Sequence, residues 1–339
     1  MVDNKIKSAP PPTYLLDGRI KWVDTAKALG VFLVFWGHLL YDGSSVGGVI
    51  NRAIYSFHMP MFFILSGFVA KQTSIPLKEF IKNKFRRILL PAILLYLLTM
   101  PLYFLTLNYS TASLKSIIIQ IFYLYGSCAY NRPIWFFICM FQVLVVARMI
   151  NLTALNNRWL VVVIFLSLLF SYYSYSSGIK YFSILGFDKT LLALFFYSVG
   201  VFLKRLEYVN YIKVIGLISI PIWLVPGLII NDKVGMYGMH LDNYWCFIVS
   251  SIAGSLVFFA LCTLLDKFGR LRKYANWTIF IIGTHYLLVR GFRSLAIISS
   301  FEETITYDVL SLCFVIIMMA VYKPVCEFID KSVPVLNGK

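Results

Sequence analysis

Apolar runs of about 17–23 residues recur along the whole chain, separated by short polar segments, and a run of that length is what a helix needs to cross the hydrocarbon core of a bilayer. Ten spans are predicted, near 25–41, 51–70, 88–107, 133–150, 159–174, 190–204, 211–230, 243–265, 276–290 and 307–322. The expected architecture is all-α, a polytopic helical bundle in a membrane, with no internal repeat and no second domain. One apolar stretch, LKSIIIQIFYLYG at 114–126, is too short to span and is expected as a re-entrant or interfacial helix on the outer side. Residues 1–20 are polar, carry three prolines at 10–12, and read as a cytosolic tail rather than a signal peptide. Residues 324–339 read as a second cytosolic tail, which leaves 21–323 as the membrane domain.

Composition agrees with the pattern. The chain is 60% hydrophobic and 14% charged, with a mean hydropathy of +0.78, whereas a soluble protein is nearer half apolar and a quarter charged. A net charge of +16 could point to nucleic acid, but the distribution points elsewhere. With the N-terminus inside, 23 of the 31 Lys and Arg residues fall on the cytoplasmic side. The outer segments hold Arg52, Lys115, Arg132, Lys180, Lys189, Lys233, Arg290 and Arg293. That bias is the positive-inside rule. The expected partner is therefore the lipid bilayer and not nucleic acid, in a multi-pass inner or plasma membrane protein with both termini cytoplasmic. The six cysteines show no metal or redox spacing, and Cys139, Cys246, Cys262 and Cys313 fall inside spans, where a free cysteine behaves as a small hydrophobe.

Titratable residues inside a membrane are costly, so their depth is informative. His38, in RIKWVDTAKALGVFLVFWGHLL (19–40), lies fourteen residues past Asp24, about 21 Å along the helix axis and so in the outer half of the bilayer. His58 descends from the outside near Asn51 and reaches a similar depth, about 10 Å below the outer surface. His285, eight residues past Trp277, is about 12 Å up from the inside, near the midplane. His240 falls in an outer loop and is expected to be solvated. For any one of the intramembrane histidines, an interhelical hydrogen bond is the plain alternative to a catalytic role. Gly37, next to His38, would let another group approach closely.

The segment YSFHMPMFFILSGFVA (55–70) mixes lipid-compatible residues with a histidine, a proline and a Ser-Gly pair. Pro60 cannot donate to the helix ladder and frees a carbonyl about one turn earlier. Such a break is tolerated at membrane depth where the backbone is buried in protein or lines a cavity. Ser66-Gly67 is a small-residue patch that permits close helix contact. At the inner surface, KNKFRRILLP (82–91) gathers Lys82, Lys84, Arg86 and Arg87, a cluster that suits the topology and equally suits a phosphorylated ligand from the cytosol.

Together these residues resemble the acyltransferase 3 family, bacterial integral-membrane enzymes that O-acylate sugars, and within it the fucose 4-O-acetyltransferase-like modifiers of polysaccharides. Asp24, Lys27 and His38 resemble the first-helix pattern, FHMPMFFILSGF (57–68) the second-helix signature, and Lys84-x-x-Arg87 before Ile-Leu-Leu-Pro91 the basic pair ahead of the third helix. Ile134-Trp135-Phe136 and His285 fall where such proteins carry theirs. Ala28 and Lys84 depart from the usual glycine and arginine, and Lys84 lacks the bidentate fork.

The resemblance implies transfer of an acyl group, usually acetyl from acetyl-CoA as co-substrate and without a metal, to a hydroxyl of a cell-surface or lipid-linked glycan. It implies His38 as general base or transient acyl carrier. His58 and Arg132 are then expected to stabilise the developing oxyanion or position the sugar. Trp135, Ser66 and His285 are expected on the acceptor side, and Lys27, Lys84, Arg86, Arg87 and Asp24 on the acyl-CoA side. Asp24 is too far from His38 to orient it and is expected to pair with Lys27, Arg86 or Arg87. A multi-pass transporter or glycan flippase shares the helix number and the broken helix, and a scaffold protein would leave the buried histidines without a role. The sequence is compatible with a monomer and with a homo-oligomer.

Overall fold

A computed structural model describes residues 15–16, 19–41, 45–106, 115, 118–119, 131–177, 184–232, 234–295, 298, 301 and 304–339. Among them, twelve α-helices carry the fold: α1 (Lys21–Leu39), α2 (Ser45–Tyr55), α3 (His58–Phe68), α4 (Leu77–Lys84), α5 (Leu90–Thr106), α6 (Trp135–Met149), α7 (Asn157–Ser176), α8 (Phe187–Arg205), α9 (Ile212–Leu224), α10 (Tyr244–Leu265), α11 (Thr278–Arg293) and α12 (Ile305–Ser332). A two-residue antiparallel ladder, β1 (Leu15–Leu16) with β2 (Arg19–Ile20), precedes α1. Most of the short stretch at 114–126 lies outside the described residues; Lys115, Ile118 and Ile119 are helical.

Five helical segments are long and apolar enough to cross a membrane: Arg132–Met149, Asn157–Ser176, Tyr208–Ile230, Tyr244–Leu265 and Ile305–Ser332. Several carry large apolar side chains facing outward, among them Phe165, Leu169, Leu217, Ile229, Ile316 and Ile317. Exposed apolar surface on that scale needs a lipid partner. The remaining expected spans are also helical: α1 and α8 are long enough but carry more charged and polar residues, and the others are shorter or interrupted.

The helix α1 is the hub. It packs against α2, α3, α10, α11 and α12 and buries Trp22, Val23, Val31, Val34, Phe35 and Leu39. Its small residues Ala26, Ala28 and Gly30 keep neighbours close: a Cβ on Gly30 would meet the Met61 and Phe62 side chains. On the far side of α3, Gly67 and Gly200 let α3 and α8 meet backbone to backbone. A Cβ at Gly67 would overlap the Tyr197 carbonyl, and one at Gly200 would overlap that of Ile64.

The expected span 51–70 is two helices that break at Ser56-Phe57, and the cause is Pro60. With no N–H at position 60, the Ser56 carbonyl has no helical donor. The Ser251 hydroxyl of α10 donates to it at 2.7 Å, and Trp223 Nε1 donates to Ser56 Oγ at 2.8 Å. Protein groups thus satisfy the break, as a non-helical turn inside a membrane requires.

The segment 324–339, expected as a tail, is structured. Helix α12 runs through Pro324 to Ser332, and a 3₁₀ turn at Pro334–Asn337 docks against α5 and α11. Asp330 ties it down, accepting from Trp277 Nε1 at 2.9 Å, Asn337 Nδ2 at 2.6 Å and Lys339 Nζ at 2.6 Å.

Candidate active site

The three histidines expected inside the membrane, His38, His58 and His285, form one cluster. The last turn of α1 presents His38, half-buried, and Gly37 beside it leaves room for α2. A Cβ at Gly37 would lie 3.1 Å from Ile54 and 3.3 Å from the Tyr55 ring. Asn51 Nδ2 donates to the Gly37 carbonyl at 3.0 Å and fixes the two helices together. The Tyr55 hydroxyl lies 3.1 Å from His38 Nδ1, and the Tyr55 ring meets His58 edge-on, 4.8 Å between centroids. From α11, His285 packs 5.3 Å from the His38 ring and Tyr286 5.6 Å.

The hydrogen bonds of two rings fix their tautomers. His58 Nδ1–H donates to the Ile54 carbonyl at 2.8 Å. His285 Nδ1–H is shared between the carbonyls of Ile281 and Ile282, at 3.1 and 2.9 Å. In the neutral ring each arrangement leaves the lone pair on Nε2. Both side chains are buried, at 4% and 1% exposure.

A clamp holds the helix end that carries His38. The last carbonyls of a helix have no intrahelical donor, and a cation there is favoured by the helix dipole. Arg293 Nη2 donates to the carbonyls of His38 at 2.9 Å and Leu39 at 3.1 Å, with its guanidinium 4.5 Å from the centre of the Tyr41 ring. The Tyr307 hydroxyl also donates to the Leu39 carbonyl, at 2.9 Å.

The other outer residues are divided. Arg132 is exposed in a 3₁₀ turn at the start of α6. Its neighbour Asn131 donates to Gly283, two residues before His285, at 2.9 Å, so the Arg132 turn and the His285 helix are tied together. Trp135 does not join the histidines; it is buried against Phe136 and Tyr237. His240 is exposed, as expected for a loop.

The inner residues meet at a separate cavity of about 730 Å³, within the range of small-molecule sites. Lys27, Lys84, Arg87 and Arg148 line it together with Ser66, Phe62, Phe136 and Tyr197. Ser66 therefore belongs with the basic residues of the inner mouth and not with the histidines. On α4, ahead of the third span, Lys84 has a pKa lowered by burial and then by the charge of Arg87. Arg86 is exposed and does not line this cavity.

Asp24 pairs with Arg19 at 2.9 Å and with Lys27 at 4.0 Å, not with Arg86 or Arg87. It lines a neighbouring cavity of about 600 Å³ with Arg19, Lys71, Lys204 and Glu207, and Lys27 borders both chambers. Among the described residues, no group of three or more His, Cys, Asp or Glu side chains could hold a metal ion.

Tyr55, Tyr286, Arg293, Asn131 and Arg148 belong to these sites and were not singled out by the sequence. Tyr55 ends α2 and His58 begins α3, so the turn at Ser56-Phe57 brings the two rings together. Arg293 counts as one more charge at the outer end of a span, and nothing in its neighbours marks it as the clamp of another helix.

The family model described as an acyltransferase domain, acyltransferase 3, matches residues 20–323. No curated protein and no solved structure matches the chain.

Proposed function

The chain belongs to the acyltransferase 3 family, and on that premise we propose that it moves an acyl group, acetyl in the first instance, from cytosolic acyl-CoA to a hydroxyl of a cell-surface or lipid-linked glycan. The observation that carries this reading is the course of α3. The helix begins at His58, inside the histidine cluster, and eight residues later reaches Ser66, on the wall of the basic cavity. That is about 12 Å along one helix axis. Phe62, whose ring lines the cavity and packs 5.6 Å from Phe136, lies one turn from His58.

In this reading Lys27, Lys84 and Arg87, with Arg148, hold the phosphates of acyl-CoA at the inner mouth, and Arg86 adds only long-range charge. Asp24 sets the position of Lys27. The pantetheine arm passes Phe62 and brings the thioester to the histidines. The acceptor hydroxyl comes from the outer side past Arg132. His38 is the residue on which transfer turns, as proton acceptor or as transient acyl carrier, with Arg132 at the developing oxyanion and His58, whose Nε2 accepts, positioning the sugar. The new O–C bond forms, the bond from the acyl carbon to sulfur breaks, and the hydroxyl proton ends on the departing thiolate. Trp135, packed on Phe136 and Tyr237, shapes the approach of the acceptor.

The test is mass spectrometry of surface polysaccharide from cells with and without the gene, beside acyl-CoA turnover by the purified protein in lipid nanodiscs. Loss of O-acetyl groups with the gene, and glycan-dependent release of CoA, are the expected results. An unchanged polysaccharide together with no CoA release would overturn the assignment.

A further inference from the structure

The cluster contains one buried acceptor whose partner the protein does not supply. His285 is 1% exposed, and its Nδ1–H is already spent on the carbonyls of Ile281 and Ile282. The lone pair therefore sits on Nε2, and that atom makes no hydrogen bond among the described residues. A buried acceptor left unpaired is destabilising, and the rings of Phe35 and His38 pack on the His285 ring, 5.5 and 5.3 Å between centroids. What such an atom lacks is an O–H or N–H donor. An acceptor hydroxyl brought to His38 would be that donor.

His38 is differently placed. Its Nδ1 already faces the Tyr55 hydroxyl at 3.1 Å, and either tautomer satisfies that contact. Its proton is therefore not committed to one nitrogen, whereas that of His285 is. A general base must present a lone pair at the moment of attack, and His285 does so by construction.

We propose that His285 Nε2 is the group that removes the proton of the acceptor hydroxyl, and that His38 acts on the acyl group. This rests on the O-acyltransferase reading. As the hydroxyl oxygen attacks the acyl carbon, its proton passes to His285 Nε2. The acyl carbon's bond to its carrier breaks, whether that carrier is CoA sulfur or His38 nitrogen. His285 then returns the proton to the CoA thiolate, so each cycle consumes one thioester and one alcohol and yields one ester and one thiol.

Two substitutions separate the ring's two nitrogens. In His285→Asn the side-chain amide reaches the Ile281 and Ile282 carbonyls in place of Nδ1–H and removes Nε2. In His285→Gln a polar group stands where Nε2 stood, but it cannot take a proton. Each variant is purified as the full chain in nanodiscs, checked for thermal stability, and given acetyl-CoA with two acceptors. One is polysaccharide from cells lacking the gene. The other is hydroxylamine, which is largely unprotonated at neutral pH and attacks without a base.

Both variants should lose about 100-fold or more of polysaccharide acetylation, the scale of general-base loss. Both should keep hydroxamate formation, above the protein-free background, within about threefold of wild type. His38→Ala should lose both activities. If His285→Asn and His285→Gln, folded, keep more than a tenth of polysaccharide acetylation, His285 is not the base. The same follows if hydroxamate formation falls in step with acetylation. A wild-type protein that acylates neither acceptor would instead remove the O-acyltransferase reading on which the proposal stands.

Discussion

The Tyr55 hydroxyl lies 3.1 Å from His38 Nδ1, and this one contact joins the end of α2 to the end of α1. The same tyrosine ring packs on His58, so it spans both histidines across the break that Pro60 enforces. A Tyr55→Phe variant keeps the ring and removes the oxygen. A net hydrogen bond is worth about 0.5–1.5 kcal/mol, so turnover should fall by up to about tenfold. The KM for acyl-CoA should stay unchanged, because the cavity lined by Lys84 and Arg87 does not include Tyr55. Steady-state kinetics with a thermal melt on the same sample checks both halves of the expectation.

The crossing of α3 and α8 is the tightest backbone approach near the site. Even one methyl at Gly67 collides with the Tyr197 carbonyl, which cannot rotate away as a side chain could. Gly67→Val should therefore cost about 1–3 kcal/mol or more, read as a lower melting temperature in detergent and reduced membrane yield. Gly291, whose Cβ direction is open, is the control: Gly291→Ala should melt like wild type.

The inner mouth makes a pH-dependent prediction. Lys84 is charged below its pKa, which burial and the Arg87 charge lower from the usual lysine value. Its hold on a phosphate is therefore present below that pKa and is lost as pH rises through it, at a lower pH than for a free lysine. Arg87→Ala removes one phosphate contact and one repelling charge together. Acyl-CoA affinity should weaken at neutral pH, while the alkaline decline that remains should move to higher pH. Added salt should reproduce part of the loss, since exposed charges are screened over about 10 Å at 0.1 M. Acyl-CoA binding measured against pH and salt, in both proteins, tests the assignment.

The helical segments were legible because apolar run length is a coarse signal that survives without knowledge of packing. The inner mouth was legible in part: Lys27, Lys84 and Arg87 do line one cavity, and Arg86, one residue from Arg87, faces away. The depth count put His38 and His58 at a common level, and the structure joins the two through Tyr55, which touches both rings. The count put His285 lower, near the midplane, whereas the structure packs that ring 5.3 Å from the His38 ring. Trp277, where that count began, is itself buried, and the Tyr274 hydroxyl bonds the Met319 carbonyl, so the chain is already inside the bundle there. Ser66 was expected on the acceptor side with Trp135 and His285, but eight residues of rise from His58 carry it to the wall of the basic cavity. The Arg293 clamp and the Asn131 bridge join residues more than 150 positions apart, and no local pattern encodes such a pairing.

The charge asymmetry makes a topological prediction of its own. With α4 and the segment after α12 on the cytoplasmic side, a cysteine placed at Lys82 should resist a membrane-impermeant thiol reagent in intact cells and react after permeabilisation. A reporter fused after Lys339 should be active only in its cytoplasmic form. Its fusion must respect the docked turn, because Lys339 pairs with Asp330 at 2.6 Å; a flexible linker avoids pulling that contact apart.

His38→Ala is the most consequential substitution. It should abolish O-acylation while the protein stays inserted and folded. Folding should tolerate it because the clamp on this helix end runs through backbone carbonyls: Arg293 and Tyr307 hold the main chain of residues 38 and 39, which alanine leaves in place. The side chain's own polar contact among the described residues is the one to Tyr55. Losing an interhelical hydrogen bond in a membrane costs about 0.6 kcal/mol, which is under threefold in rate, whereas losing a catalytic imidazole costs about 100- to 10,000-fold. That gap separates the two roles without ambiguity. A working histidine must be neutral, so wild-type activity should also fall as pH drops and histidine protonates. The measurement is acetyl content of the glycan, with membrane yield and thermal stability taken on the same variant. If folded His38→Ala retains more than a tenth of wild-type turnover, His38 only holds Tyr55 in place, and the acyl group must be handled by another residue of the cluster.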